Sequence, residues 1–147
     1  MKTGKMIAAG VLPICKSTGR IMLIRRGQHQ SQAGTWAAFG GKFETGDDRN
    51  PKDTAIREFT EESGYKGKFK ISSAPLDVAE TTHLVFYTYV GLFDEEFIPD
   101  LGPSEEASDY GWFYLNEFPS ELHKGVGEMF KLHKKTLENI ICFYQNK

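Results

Sequence analysis

The sequence predicts an α+β fold, an α/β/α sandwich in which helices flank a mixed β-sheet. Three observations lead to this fold class: several short apolar runs bounded by turn residues, one capped helix near residue 51, and a long helix-periodic stretch after residue 119. The chain has 147 residues, of which 39% are hydrophobic and 26% are charged. We therefore expect one globular domain over residues 1–147, with a core of its own.

Three strands are expected before the first helix. Apolar and β-branched residues bounded by glycine and other turn residues mark each of them. They are expected at residues 6–15, 20–26 and 35–39. The turn at 16–19 makes a hairpin of the first two, and a Gly- and Asp-rich loop follows the third.

Asn50 and Pro51 mark the start of the first helix. Asparagine is a favoured N-cap, and proline suits the first helical position because its missing N–H has no helical partner there. Asp53 adds negative charge to the first turn, where the helix dipole favours it. The helix is expected to end near Ser63, because Gly64 is a typical residue after a helix.

The second half of the chain predicts three more strands and a second helix. The strands are expected at residues 66–71, 82–93 and 110–115. The middle strand is apolar on both faces, which is typical of a central strand covered on both sides. A helical region is expected from Pro119 and Ser120 onwards. Its core face repeats at helical spacing: Val126, Met129, Phe130, His133, Leu137, Ile140, Ile141 and Tyr144.

Charge, cysteine content and hydropathy argue against several classes of protein. With 18 basic and 20 acidic residues the net charge is −2, so we expect no nucleic-acid polymer as partner. Cys15 and Cys142 are expected to be reduced, packed thiols. The apolar run at residues 6–14 is too short to span a bilayer, and no targeting segment is recognisable. We expect a cytoplasmic protein with no membrane contact, and leave a homodimer open.

Glu58, Glu61 and Glu62 fall within an arc of about 100° on the predicted first helix. Three carboxylates on one turn raise one another's pKa, and a hard divalent cation such as Mg²⁺ removes that repulsion. The alternative is an ordinary solvated acidic face. The glycine pair Gly40 and Gly41 lies just upstream and lets the backbone approach a ligand closely, which favours a metal site.

These residues carry a resemblance to the Nudix hydrolase (MutT-like) family, whose box is G-x5-E-x7-R-E-U-x-E-E-x-G-U. Residues 57–65 read REFTEESGY, and residues 34–46 read GTWAAFGGKFETG, similar to the family's G-x-W-x-x-P-G-G-K-x-E-x-G lead-in. Two departures stand out. Phe39 replaces the usual proline, and the loop inside the box is two residues longer, with Asp47 or Asp48 in place of the first glutamate. The role of that carboxylate is left open.

The resemblance implies a Nudix fold and a Mg²⁺ site, with Mn²⁺ as an alternative ion. Its metal ligands would be Glu58, Glu62, the Gly40 carbonyl and Glu61, which either shares a metal or holds its waters. It also implies catalytic roles for Glu58, Glu61 and Arg57. Arg57 would orient a carboxylate or contact a phosphate.

The general base is not assigned by the box alone. Glu58 is one candidate, Glu105 and Glu106 resemble the family's late acidic residues, and Asp109 is a weaker candidate. We hypothesise that Glu106 supplies the base or a further metal contact. The alternative for Glu105 and Glu106 is a solvated pair of loop charges.

The resemblance further implies a small-molecule nucleotide substrate. Arg25, Arg26 and Lys42 are candidate phosphate contacts, and Trp36 is a candidate for stacking on a base. Surface charges and buried packing are their respective alternatives. The implied activity is Mg²⁺-dependent cleavage of the pyrophosphate bond in a nucleoside diphosphate linked to another moiety. A pyrophosphatase that sanitises modified nucleoside triphosphates and a non-catalytic nucleotide sensor are the alternatives.

Overall fold

A mixed eight-stranded sheet lies between two helices in the computed structural model, which describes residues 4–102 and 106–146. The elements of these ranges are β1 (Met6–Cys15), β2 (Ile21–Arg26), β3 (Trp36–Ala37), β4 (Phe39–Lys42), α1 (Pro51–Ser63), β5 (Lys70–Ile71), β6 (Asp77–Glu80), β7 (Leu84–Phe93), β8 (Ala107–Phe113) and α2 (Lys124–Gln145). The predicted α+β sandwich is confirmed.

Alternate residues of β1 supply the two cores of the molecule. Val11 packs with Phe59 of α1, whereas Leu12 packs with Met129 and Leu137 of α2. This alternation follows from the two-residue period of a strand. Each face of the sheet therefore has its own helix, and we refer to them as the α1 face and the α2 face.

The sheet opens where β2 leaves β1. The two strands form a single antiparallel pair, Ile14 with Ile21, and β4 then pairs with β1 from Ala8 to Val11. On its other side β1 runs parallel to β7 over its whole length. Strand β2 continues with β3 and β8 as its partners. The separation of β2 from β1 places β4 beside α1, with which it is in contact.

Helix α1 begins and ends as predicted. The Asn50 side chain accepts a hydrogen bond from the Asp53 N–H at 2.9 Å, and Pro51 is the first helical residue. Gly64 ends the helix with a left-handed φ of 65°. The buried face of α1 carries Ala55 and Phe59, so the acidic residues lie on a neighbouring face.

Tertiary pairing changes several predicted boundaries. The strand expected at 35–39 is divided into β3 and β4, the strand at 66–71 is reduced to β5, and β6 was not predicted. The last strand spans Ala107–Phe113 instead of 110–115. Helix α2 begins at Lys124 because the preceding residues pair with β3: Trp36 donates its N–H to the carbonyl of Glu121 and accepts the N–H of His123.

Of the two cysteines, Cys15 is buried as expected and Cys142 is exposed, which corrects the prediction that both are packed; both are free thiols. Most of the predicted α2 stripe is confirmed: Met129, Phe130 and Leu137 are buried, and Val126, Ile140 and Ile141 pack against this core. His133 and Tyr144 are only partly buried and lie outside the core cluster. Neither helix in the described ranges has the length and apolar character that crossing a membrane requires.

Candidate active site

Carboxylates from α1 and from the segment before β8 surround one small cavity. Its volume is about 210 Å³, and Glu58, Glu61, Glu62 and Glu106 line it. The structure therefore brings the three predicted helix carboxylates together with the predicted late glutamate. Glu105 lies outside the described residues.

Glu62 has the most perturbed carboxyl group of this cluster. Burial, together with the charges of Glu58 and Glu106, raises its pKa to about 8. The Gly40 N–H, which donates to Glu62 Oε1 at 3.1 Å, and the charge of Arg26 act in the opposite direction. Burial also raises the pKa of Glu58. The surroundings of the cluster therefore disfavour full ionisation of its carboxyl groups.

The glycine pair lets β4 lie close to side chains on both faces of the sheet. A side chain at Gly41 would overlap the carboxyl group of Glu58. A Cβ at Gly40 would lie 2.6 Å from the ring of Phe86, on the opposite face of the sheet. The N–H of Gly40 contacts Glu62, whereas the role of its carbonyl as a metal ligand stays a prediction.

Arg57 ties the loop of the box to the helix carboxylates. Its guanidinium donates to both oxygens of Asp48, at 3.0 and 2.9 Å, and to the Lys42 carbonyl at 2.9 Å. It also donates to Glu58 at 2.9 Å and to Glu61 at 3.3 Å. The predicted orienting role of Arg57 therefore has a geometric basis.

Asp48, and not Asp47, is the partner of Arg57. The side chain of Asp48 is only 1% exposed, and it also accepts from the Thr54 hydroxyl and the Glu44 N–H. Hydrogen bonds from Arg57 hold the pKa of Asp48 well below its usual range. Asp47 is exposed. The two-residue insertion left this choice open in the sequence, and the contacts and burial of Asp48 decide it.

The predicted substrate contacts are dispersed. Arg26 donates to the carbonyl and hydroxyl of Ser31 and lines a second cavity of about 320 Å³. Arg25 donates to the Gly34 carbonyl, and Lys42 is exposed at the end of β4.

Trp36 and Asp109 lie away from the carboxylate cavity. Trp36 packs edge-on against Phe113 at a centroid distance of 5.4 Å and belongs to the core of the α2 face, in line with the packing alternative. Asp109 lies within β8, opposite Arg25 of β2, and lines neither cavity.

The second cavity contains residues that sequence reasoning missed. It lies between β6, β7 and the start of α2, and Asp77, Ala79, Phe86, His123 and Met129 line part of it. Asp77 and Ala79 belong to β6, the strand that was not predicted. Strand β6 has only four residues, most of them exposed, so the sequence carried no hydrophobic pattern that could have predicted this strand.

The donor set of the carboxylate cavity fits a hard divalent cation. Its titratable side chains supply only oxygen ligands, and a cation would offset both the burial and the carboxylate repulsion that raise the pKa of Glu62. Over residues 4–102 and 106–146, no three His, Cys, Asp or Glu side chains converge as a preformed metal cage. In proteins, Mg²⁺ is held by one or two carboxylates together with waters and substrate phosphates.

Comparison with known proteins places these features in context. A family model described as the NUDIX domain matches residues 4–134. Among curated proteins no sequence relative is found.

Solved structures share the fold at low identity. A Nudix hydrolase from M. smegmatis, RenU, is 20% identical, with 93% of this chain and 88% of that chain covered and a TM-score of 0.76. An Ap4A hydrolase from C. elegans is 17% identical, with 90% and 98% covered and a TM-score of 0.70. A bifunctional NMN adenylyltransferase/ADP ribose pyrophosphatase from Francisella tularensis, complexed with AMP and manganese, is 16% identical, with 90% and 42% covered and a TM-score of 0.62.

Proposed function

Because the chain belongs to the NUDIX family, as a Nudix hydrolase acting on phosphoric anhydrides, we propose that it cleaves the pyrophosphate bond of a nucleoside diphosphate linked to another moiety. We propose Mg²⁺ as its cofactor, with Mn²⁺ able to replace it. The observation that carries the proposal is the cavity lined by Glu58, Glu61, Glu62 and Glu106, in which burial raises the pKa of Glu62 to about 8.

The residues of the cavity divide into metal ligands and groups that position them. Glu58 and Glu62 would hold the cation, the Gly40 carbonyl would complete the protein ligands, and Glu61 would bind a metal or its waters. When bound, such a cation would offset charge on the pyrophosphate oxygens and lower the pKa of an attacking water. Arg57 keeps Glu58 in place through the hydrogen bond at 2.9 Å.

Glu106 is proposed as the general base. It lines the cavity opposite α1, and its charge reaches both Glu58 and Glu62. A carboxylate in this position can accept the proton of a water that attacks phosphorus. Arg26 is the proposed phosphate contact, because its positive charge acts on Glu62.

The names of the structural neighbours support this substrate class. One is an Ap4A hydrolase and another an ADP ribose pyrophosphatase, both named for nucleotides with phosphoric anhydride bonds. The presence of all three helix carboxylates favours an enzyme over a nucleotide sensor, since a sensor needs no metal-binding cluster.

Turnover of a substrate panel tests the proposal. ADP-ribose, diadenosine tetraphosphate and nucleoside triphosphates are incubated with Mg²⁺ or Mn²⁺, and products are separated by chromatography. We expect a nucleoside monophosphate from a diphosphate derivative, and a fall in kcat of at least about 100-fold in Glu62→Gln. Glu128→Gln, the same change on an exposed residue of α2, should keep the wild-type rate.

Two results would contradict the proposal. Release of pyrophosphate from triphosphates alone would identify a pool-sanitising pyrophosphatase. Tight nucleotide binding without metal-dependent turnover across the whole panel would identify a sensor.

A further inference from the structure

We propose that the second cavity, on the α2 face, binds the nucleobase of the substrate, and that Asp77 selects bases carrying an exocyclic amino group. This inference rests on the proposed function, because it takes the substrate to be a nucleotide. It adds a binding site and a specificity residue to the carboxylate cluster.

Two residues that line the cavity also interact with the carboxylate cluster. Gly40 lines the cavity, and its N–H donates to Glu62 at 3.1 Å. Arg26 also lines the cavity, and its charge acts on Glu62 and on His123. A nucleotide whose phosphates lie near Arg26 and the carboxylates would therefore extend its remaining group over Gly40 into this cavity.

Size and walls favour a flat, largely apolar group. The volume is about 320 Å³, within the range of small-molecule sites. One wall comes from the sheet, with Ala79, Leu84 and Phe86, and the opposite wall comes from α2, with Val126 and Met129. Apolar and aromatic walls of this kind pack against the flat faces of a base. Polar side chains of the same cavity, among them Arg26, Ser31 and Asp77, can meet its edge.

Asp77 supplies the polar group that can distinguish one base from another. Its side chain is 12% exposed, and its Oδ1 pairs with His133 Nε2 at 2.7 Å. His133 lies at a kink of α2, where its φ is −112° and its ψ is 18°. Within the described ranges, no residue donates a hydrogen bond to the other oxygen of Asp77.

An ionised carboxylate accepts hydrogen bonds and donates none. Adenine, cytosine and guanine each carry an exocyclic amino group that can donate to it. Uracil offers only a ring N–H, flanked by two carbonyl oxygens that a carboxylate repels. The cavity is therefore matched to amino-bearing bases and discriminates against uracil.

Metal-free binding measures this selectivity without any turnover. AMP, GMP, CMP and UMP are titrated into the full chain in EDTA by calorimetry. We expect at least one amino-bearing nucleotide to bind about tenfold tighter than UMP. Asp77→Asn should bring this ratio to within about twofold, because an amide can also donate to the uracil oxygens.

A pair of neighbouring substitutions tests the location. Ala79→Leu places extra volume in the cavity, whereas Val78→Leu places it on the opposite face of the same strand. We expect Ala79→Leu to weaken binding of the preferred nucleotide at least tenfold and Val78→Leu to leave it within twofold.

Methyl NMR of ¹³C-labelled methionine reports both folding and occupancy. Met129 lines the cavity, whereas Met22 lies in the core of the α1 face. The nucleotide should shift the Met129 methyl and leave Met22 unchanged. An unchanged Met22 resonance in each variant shows that the fold is intact.

Equal affinity for all four nucleotides, or equal effects of Ala79→Leu and Val78→Leu, would overturn the inference while leaving the hydrolase proposal standing. Conversely, a chain that binds amino-bearing nucleotides here but hydrolyses nothing would retain the base site and lose the proposed function.

Discussion

Asp48 and Arg57 connect more parts of the candidate active site than any other pair described above. Arg57 contacts the loop through Asp48 and Lys42, and the helix through Glu58 and Glu61. The Asp48 side chain is nearly inaccessible to water, so its ionised form depends on Arg57. Loss of this carboxylate would leave a half-paired guanidinium beside the proposed metal ligands.

The acid stability of the chain should depend on this pair. The pKa of Asp48 in the folded chain lies below its unfolded value of 3.8, so its stabilising effect is present above pH 3.8 and is lost as the pH falls through the folded pKa. We expect Asp48→Asn to lower the free energy of unfolding by about 2–4 kcal/mol at pH 7. The difference in free energy of unfolding between wild type and variant should become smaller below pH 3.8.

Urea denaturation at pH 7, 4 and 3 measures both effects. Asp47→Asn, an exposed neighbour, is the control and should change stability by less than about 0.5 kcal/mol. Similar losses in the two variants would show that Asp48 is not the structural partner of Arg57.

Sequence spacing was sufficient to predict where the helix carboxylates lie, but it was not sufficient to predict which aspartate of the loop contacts Arg57. Glu58, Glu61 and Glu62 share a face because helix geometry alone puts them there. The choice between Asp47 and Asp48 depends on how a longer loop folds back onto Arg57, which no local rule determines. Asp77 was missed because its role comes from contact with His133, a residue 56 positions away.

At the level of elements, α1 was predicted correctly because its signals are local. Asn50, Pro51 and Gly64 act within a few residues of the helix ends. The strands β3, β4 and β6 have two to four residues, and their bounds depend on pairing with distant strands. The α2 start was predicted too early because residues near Leu122 form a bridge with Trp36.

The N-cap of α1 should make a measurable contribution to stability. Asn50→Ala removes the hydrogen bond to the Asp53 N–H, and we expect it to lower the free energy of unfolding by about 1 kcal/mol. Thr60→Ala, an exposed change on the same helix, should stay within about 0.5 kcal/mol of wild type. Equal stability of the two variants in urea would contradict the capping role.

For the whole molecule, the predicted fold class and family are confirmed, whereas the path of the sheet was not foreseen. The departure of β2 from β1 after one residue pair is a long-range property of the sheet. A single domain over residues 1–147, a cytoplasmic location and a homodimer stay predictions.

Divalent cations should stabilise the whole chain, because only the folded state brings Glu58 and Glu62 together. At a concentration of 100 times Kd, binding adds about 2.7 kcal/mol, which corresponds to a rise in Tm of about 5–10 °C for a chain of this size. Calorimetric melts with Mg²⁺, Mn²⁺ and EDTA measure it. Glu62→Gln should lose most of the rise and Glu128→Gln should keep it; an equal rise in both would place the ion elsewhere.

Gly40 and Gly41 have an evolutionary consequence. They are successive residues of one strand, so their missing side chains leave space on opposite faces of the sheet. Gly41 leaves space for Glu58, and Gly40 leaves space for Phe86. Substitutions around Phe86 can accumulate without displacing the carboxyl group of Glu58. Gene duplicates of this chain could therefore diverge in the molecules they recognise while inheriting an unaltered reaction centre.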